Sequence, residues 1–553
     1  MFKVSWISIS SGVIAFVLAA LMINHGLVDS WMPAGPGLTL DESFNIDQGA
    51  YLVDALSQHG PLLFTPSVAK DVFGSDRYLP DHPPLGRALL GTSHQLTSWL
   101  IPGSEDCTHN VPAARLGSCL AFGMTVLLLS EFALRRYGTA TGIAVAAMLI
   151  GMPNVIGHAR IAALESATNL AWVAAMIPLL SWWTGTKAPS NKQAIISGVL
   201  WGLLMLTKVQ GILLPPIVFV WAVWRFRVHA VRPLACWTII GSIVFFAGWP
   251  WLWLNPVDNI MSYLGRTTER TTLYCWYFGK RYADKVVPWH YPFVMTLISL
   301  PFWTILGLAM RLTRNKPDAV EQLILLSVAG PLLVFALPGT PVYDGTRLFL
   351  VVMPSLVLLA ARGFAAYLHG AAHLNIPGRA ANESLPVATV ARRWAKRQWF
   401  KAGVWSLLLV ASGGRIMTPY AVSQYGLLAG KNSGAAYVGM EASYWSDALN
   451  GDFWRQIPED STVMVAPVSH QFQLSYIETL VPIVRQRNIH LVPFEYDPTK
   501  QKGLLLLIHR LADLRESLRT VPEGATVIAQ VDVDGVILAR LIDTTNATWT
   551  ETP

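Results

Sequence analysis

Val4-Ser5-Trp6-Ile7-Ser8-Ile9-Ser10-Ser11-Gly12-Val13-Ile14-Ala15-Phe16-Val17-Leu18-Ala19-Ala20-Leu21-Met22-Ile23 contains no charged side chain. About twenty such residues suffice for an α-helix to cross the hydrocarbon core of a bilayer. Lys3 precedes the run and no small-x-small cleavage site follows it, so it reads as an uncleaved first transmembrane helix. Comparable apolar runs lie downstream at 111–134, 139–156, 164–183, 194–209, 211–224, 234–254, 291–310, 323–337, 348–368 and 399–416. The fold class that follows is an α-helical polytopic membrane protein with about eleven transmembrane helices. Composition agrees, since 53% of the 553 residues are hydrophobic and only 14% charged, against roughly 25% charged in a soluble domain. Many of the 22 Trp sit at the ends of apolar runs, as interfacial belts require.

Charge sets the expected orientation. Lys3, Arg135-Arg136, Lys187, Lys192, Arg225, Arg227, Arg232, Arg311 and the basic run Arg392–Arg397 fall in short loops on one side. The positive-inside rule makes that side cytoplasmic and accounts for the net charge of +7 without nucleic acid. The amino terminus is then cytoplasmic, in a plasma (inner) membrane. Segments 24–110 and 255–290, and everything after about residue 416, face outward. Residues 1–420 form a membrane module, and 421–553 a small outer α/β domain. Its strand-like runs lie at 462–467, 490–493, 503–508 and 525–539, with helical patterns at 475–486 and 511–520. The stretch 369–391 reads as a loose inner linker. Four Cys are too few for a disulfide scaffold, and a Cys107–Cys275 pair is left open.

Leu38-Thr39-Leu40-Asp41-Glu42-Ser43, just beyond the first span, reads as a loop with two acids in an apolar setting. Carboxylates at a membrane boundary are costly unless paired, hydrated or used. Adjacent side chains diverge in regular structure, so one acid is expected to face a reacting centre and the other to support the loop. The alternative is a solvated loop acid. Asp81-His82-Pro83-Pro84 follows, with prolines that stiffen the backbone around His82. In His158-Ala159-Arg160…Glu165, a cation at membrane depth needs an anion, either Glu165 or a ligand phosphate. Arg115, Lys208 and Arg347 lie at the outer ends of three distant spans, where positive charge is disfavoured. They either snorkel to headgroups or converge on a phosphate. No His-Glu-x-x-His motif or paired Cys suggests a metal site.

These segments resemble the GT-C membrane glycosyltransferases, of the protein O-mannosyltransferase type (glycosyltransferase family 39) and the bacterial aminoarabinose transferases. The resemblance rests on Asp41-Glu42, His82-Pro83-Pro84-Leu85-Gly86, Gly157-His158-Ala159-Arg160-Ile161-Ala162-Ala163-Leu164-Glu165, Lys208-Val209-Gln210-Gly211 and Tyr343-Asp344-Gly345-Thr346-Arg347. It departs at Glu165, where many members have Asp, and in a tail unlike a β-trefoil. The resemblance implies inverting transfer of a mannose-like sugar from a polyprenyl phosphate to a protein, lipid or glycan acceptor on the outer face. Asp41 is then the base, with Glu42 beside it, and Arg115, Lys208 and Arg347 hold the donor phosphate. His82, His158, Arg160, Glu165 and Asp344 are supporting residues. The lipid-linked sugar is the donor, no further cofactor is required, and dependence on a divalent metal is left open. A transporter or flippase of lipid-linked sugars is the competing class, although the charges cluster at one face and no pseudo-symmetric repeat is visible. A membrane-anchored binding protein working through its tail is another.

Overall fold

The computed structural model describes residues 4–265, 271–313, 316–370 (backbone alone over 366–370), 416–443, 445–468, 470–495 and 502–549. The expected span at 399–416 and the linker at 369–391 fall outside these residues but for their extreme ends.

α1 (Trp6–Ala20) starts at Ser5, whose hydroxyl accepts the Ile7 N–H. The segment after it, expected as a loop, is helical, with α2 (Leu40–His59), α3 (Pro66–Phe73) and α4 (Pro84–Thr97). α2 and α4 cross where Gly49 meets Gly91. A Cβ on Gly91 would lie 2.1 Å from the Gly49 carbonyl oxygen, so only glycine allows this approach. Beside the crossing, Leu79 donates its N–H to Gln48 and Arg87 its Nε–H to Asn45, which ties both flanks of the Asp81–Pro83 turn to α2.

The membrane module continues with α5 (Val111–Tyr137), α6 (Thr139–Ile150), α7 (Pro153–Ala159), α8 (Glu165–Trp182), α9 (Asn191–Met205), α10 (Leu214–Phe226) and α11 (Val231–Gly248). A short α12 (Trp251–Leu254) and α13 (Pro256–Gly265) lead to a hairpin, β1 (Tyr274–Tyr277) with β2 (Lys280–Ala283). α14 (Tyr291–Ser299), α15 (Phe302–Leu312), α16 (Ala319–Phe335) and α17 (Met353–Gly370) follow. Among the described residues, three helical stretches are long and apolar enough to cross a membrane: Val111–Tyr137, Val209–Gly248 and Arg347–Ala365. Counting the bent pairs α6–α7 and α14–α15 as one span each gives five, and Trp6–Ala20 and Ala319–Phe335 are shorter apolar helices. The structure therefore supports a multi-pass helical bundle but leaves the expected count of eleven crossings open.

The carboxy-terminal α/β unit is a five-stranded sheet in the order β4-β3-β5-β7-β6. β3 (Thr462–Ala466) runs parallel to both β4 (His490–Pro493) and β5 (Leu504–Ile508). The single strand-like run at 525–539 is instead an antiparallel hairpin, β6 (Thr526–Val533) and β7 (Val536–Asp543). Asp534 and Gly535 turn it with φ +50° and +78°, as a two-residue Asp-Gly hairpin loop requires. The helix expected at 511–520 reduces to a short 3-10 turn at Glu516–Leu518. Ala512 gives its N–H to the Glu441 carboxylate and its carbonyl accepts from Arg281, so neither serves a helical ladder. Glu441 also accepts the Trp276 N–H, tying the segment after the membrane module to both the hairpin and the sheet unit. Burial pushes the Glu441 carboxyl up to about 8.

The core of this unit is not separate. Val463, Leu506 and Leu541 belong to one buried cluster with Leu38 and Ile46 of the segment after α1 and Leu164 of the membrane module. Cys107 and Cys275 are both unpaired.

Candidate active site

Thr39-Leu40-Asp41-Glu42 opens α2 as a capping box. The Glu42 carboxylate accepts the Thr39 N–H at 2.9 Å and the Ala162 N–H at 2.7 Å. Arg115 completes its surroundings through Nε at 2.7 Å and one Nη at 2.8 Å. The remaining Arg115 N–H groups donate to the carbonyls of Ile23, Pro36 and Gly37. A guanidinium has five N–H donors, and each is occupied inside the protein. Arg115 and Glu42 are wholly buried, and neither is among the residues lining the cavity that Asp41 faces. The donor-phosphate role expected for Arg115 therefore has no free N–H to carry it. The pair instead fixes the first turn of α2.

Successive helical residues point about 100° apart, so Asp41 faces elsewhere. It lines a cavity of about 1000 Å³ together with His82, Lys208, Asp344 and Arg347. Its carboxylate pairs with Arg347. Arg347 donates through Nε to Glu165 at 2.8 Å and lies 3.1 Å from Asp344. Lys208 reaches the same Glu165 oxygen at 2.6 Å. The guanidinium also covers the Trp445 ring at 4.5 Å. Glu165 thus sits behind the two cations and holds them side by side at the cavity wall. Asp344 occupies the left-handed region with φ +54°, followed by Gly345 at +63°. A non-glycine residue held there costs of order 1–3 kcal/mol, and such strain recurs at functional sites.

The other expected residues divide. His82 lines the cavity, and burial pushes its imidazole down to about 4, against the pull of Asp81. Asp81 is held bidentately by the buried Arg87, at 2.7 and 2.9 Å, which anchors the turn carrying His82. His158 lies behind the wall, its Nδ1 2.6 Å from the Asn154 carbonyl and its ring edge-on to Trp445. Arg160 is apart from the site. It meets neither Glu165 nor the cavity, and donates to the carbonyls of Thr418 and Leu18.

Residues of the α/β unit that the sequence reading did not single out complete the cavity. Pro467 and Val468 follow β3, and Ile508 and Arg510 end or follow β5. Both strands present their carboxyl ends, the edge at which parallel sheets gather ligands. The strand-helix alternation was a usable signal for this edge. Gln473 and Tyr476 line the same side, and Tyr476 packs edge-on against Phe44 of α2. A second wall is apolar, formed by Ile212 and Leu213 before α10 and by Val334, Phe335 and Pro338 at the end of α16. Among the described residues, no group of three or more His, Cys, Asp or Glu is arranged to hold a metal ion.

No curated protein sequence matches the chain significantly. Among solved structures, ArnT from Cupriavidus metallidurans bound to undecaprenyl phosphate is similar at 15% identity and a TM-score of 0.49, over 97% of each chain. The Archaeoglobus fulgidus oligosaccharyltransferase in its apo form is similar at 12% identity and 0.43, covering 86% of this chain and 64% of that one. The S. cerevisiae protein O-mannosyltransferase Pmt1-Pmt2 complex bound to the sugar donor is similar at 15% identity and 0.29, over 48% and 34%. Residues 81–253 match the family model described as dolichyl-phosphate-mannose-protein mannosyltransferase. Through that segment, which carries His82, Arg115, the His158–Glu165 stretch and Lys208, the chain resembles this family of membrane glycosyltransferases.

Proposed function

We propose that the chain transfers a sugar from a polyprenyl-phosphate donor to an acceptor hydroxyl at the outer face of the membrane. The observation that carries this reading is the convergence of Asp41, Lys208 and Arg347 on one cavity with a polar and an apolar wall. Two cations held by a common carboxylate suit a phosphate. The apolar wall between α10 and α16 suits the chain of a lipid whose headgroup enters the polar end. Partners are thus the lipid-linked sugar, the surrounding lipids and a protein, lipid or glycan acceptor.

The acceptor hydroxyl attacks the anomeric carbon as its proton passes to the Asp41 carboxylate. The carbon–oxygen bond to phosphate breaks, and the bonding electrons leave on the phosphate oxygen. Lys208 and Arg347 stabilise that charge more in the transition state than in the ground state, which is the condition for accelerating the step. Attack opposite the leaving group inverts the anomeric centre. His82, kept neutral, can hydrogen-bond donor or acceptor without adding charge.

Asp41→Asn should insert normally, bind undecaprenyl phosphate and lose sugar transfer by 10²-fold or more, as general-base removal does in order of magnitude. Transfer by purified protein in detergent is the measurement. Full activity of the variant would remove Asp41 from the mechanism, and wild-type protein that neither binds polyprenyl phosphate nor transfers sugar would end the reading.

A further inference from the structure

We propose that Arg510, contributed by the α/β unit, is a positioning residue of the donor site. By neutralising Asp344 it leaves Arg347 available to a polyprenyl-linked phosphate. The proposal rests on the glycosyl-transfer reading above but concerns a residue outside the membrane module and outside the matched segment 81–253.

The geometry is a chain of alternating charges. Lys208 and Arg347 share Glu165, Arg347 touches Asp344, and the other Asp344 oxygen lies 3.2 Å from Arg510. Arg510 is in turn held at 2.7 Å by Asp513, which has Arg281 of β2 at 4.0 Å. Arg281 is itself fixed, because it covers the Tyr274 ring at 3.5 Å and donates to the Ala512 carbonyl. Arg510 and Asp513 both line the cavity, and Arg510 is largely buried. The described anions facing Arg347 are Asp41, Glu165 and Asp344, three carboxylates against one guanidinium. Lys208 offsets Glu165, and Asp41 is the carboxylate that a phosphate displaces from Arg347, so Asp344 is the one left opposing a phosphate bound there. Arg510 is the cation the structure sets against it. Removing one member of a desolvated pair leaves the other charge uncompensated, and that effect is far larger than in water.

The test uses the full-length protein in detergent, with undecaprenyl phosphate and the uncharged alcohol undecaprenol as two probes. Arg510→Gln should weaken undecaprenyl phosphate binding about tenfold, the scale of one charged hydrogen bond, and leave undecaprenol binding unchanged. Adding Asp344→Asn to that variant should restore most of the lost affinity, because the uncompensated carboxylate is then gone. Arg510→Lys, which keeps the charge if Gln proves unstable, should bind the phosphate within about threefold of wild type, since a single point charge replaces the fork. Unchanged phosphate binding by Arg510→Gln, equal loss for both probes, or no recovery in the double variant would each overturn the proposal. The last two would make Arg510 a residue that only docks the α/β unit. Wild-type protein that ignores undecaprenyl phosphate would instead count against the donor reading itself.

Discussion

Arg115 and Arg347 are both arginines at the ends of apolar runs, yet their surroundings are opposite. Arg115 has every N–H bonded to Glu42 or a carbonyl, deep in the protein. Glu42→Ala should therefore destabilise the fold by about 3–5 kcal/mol, the usual cost of orphaning a buried charge. Thermal unfolding in detergent reads this, and the folded fraction should still bind undecaprenyl phosphate. An unchanged melting temperature would sink the structural assignment. Much of the site was legible in the sequence at this scale. The two adjacent acids do diverge, one into the cavity and one into a buried pair. The spacing Thr39-x-x-Glu42 is itself a helix-start signal, and it marks a helix where a loop is expected. Nothing in the sequence separates the buried Arg115 from the cavity-lining Arg347. Both are lone cations beside apolar runs, and only packing decides which has a carboxylate and three carbonyls around it.

Elements place these residues. α2 and α4 approach so closely at Gly49 and Gly91 that a methyl group on Gly91 meets backbone. Gly91→Ala should cost roughly 1–3 kcal/mol by overpacking and displace the Asp81–Pro83 turn. The expected reading is a lower melting temperature with reduced transfer, and a variant indistinguishable from wild type would show that the crossing can relax. The β6–β7 hairpin is legible in Asp534-Gly535, the strongest short hairpin signal a sequence carries, inside the strand-like run 525–539. The missing helix at 511–520 was not visible. Its sequence permits a helix, but the Ala512 backbone is claimed by Glu441 and Arg281 from elements far away in the chain.

For the molecule as a whole, the sequence separates a membrane module from a carboxy-terminal unit, whereas the structure packs one core across both. Shared burial of this kind depends on contacts between distant residues, which periodicity cannot report. The segment 461–549 on its own should consequently fail to unfold cooperatively, since Val463, Leu506 and Leu541 lose the neighbours supplied by Leu38, Ile46 and Leu164. A sharp melting transition for the isolated segment would contradict the shared core. The junction should also respond to pH. Burial pushes Glu441 up to about 8 and Asp447 to about 7, above ordinary carboxylates. The folded state then binds more protons than the unfolded state across the range between those values and about 4.5. Stability should fall as pH rises through that window. Glu441→Gln should flatten the decline of the melting temperature between about pH 5 and pH 8, and an unaltered slope would rule out its titration as the cause.

Asp41 and Arg347 form an ion pair at the cavity wall. The consequence is kinetic. On the proposed assignment of Asp41 as base and Arg347 as anion receptor, the two neutralise one another until a phosphate competes for the guanidinium, and only then is the carboxylate released toward a hydroxyl. A water or acceptor that arrives first meets a masked base. Turnover should therefore follow a compulsory sequence with donor ahead of acceptor, and idle hydrolysis of the donor should be slow. Initial-rate patterns with both substrates varied, together with competition by undecaprenyl phosphate against the donor, would reveal random addition if the ion pair imposes no such order.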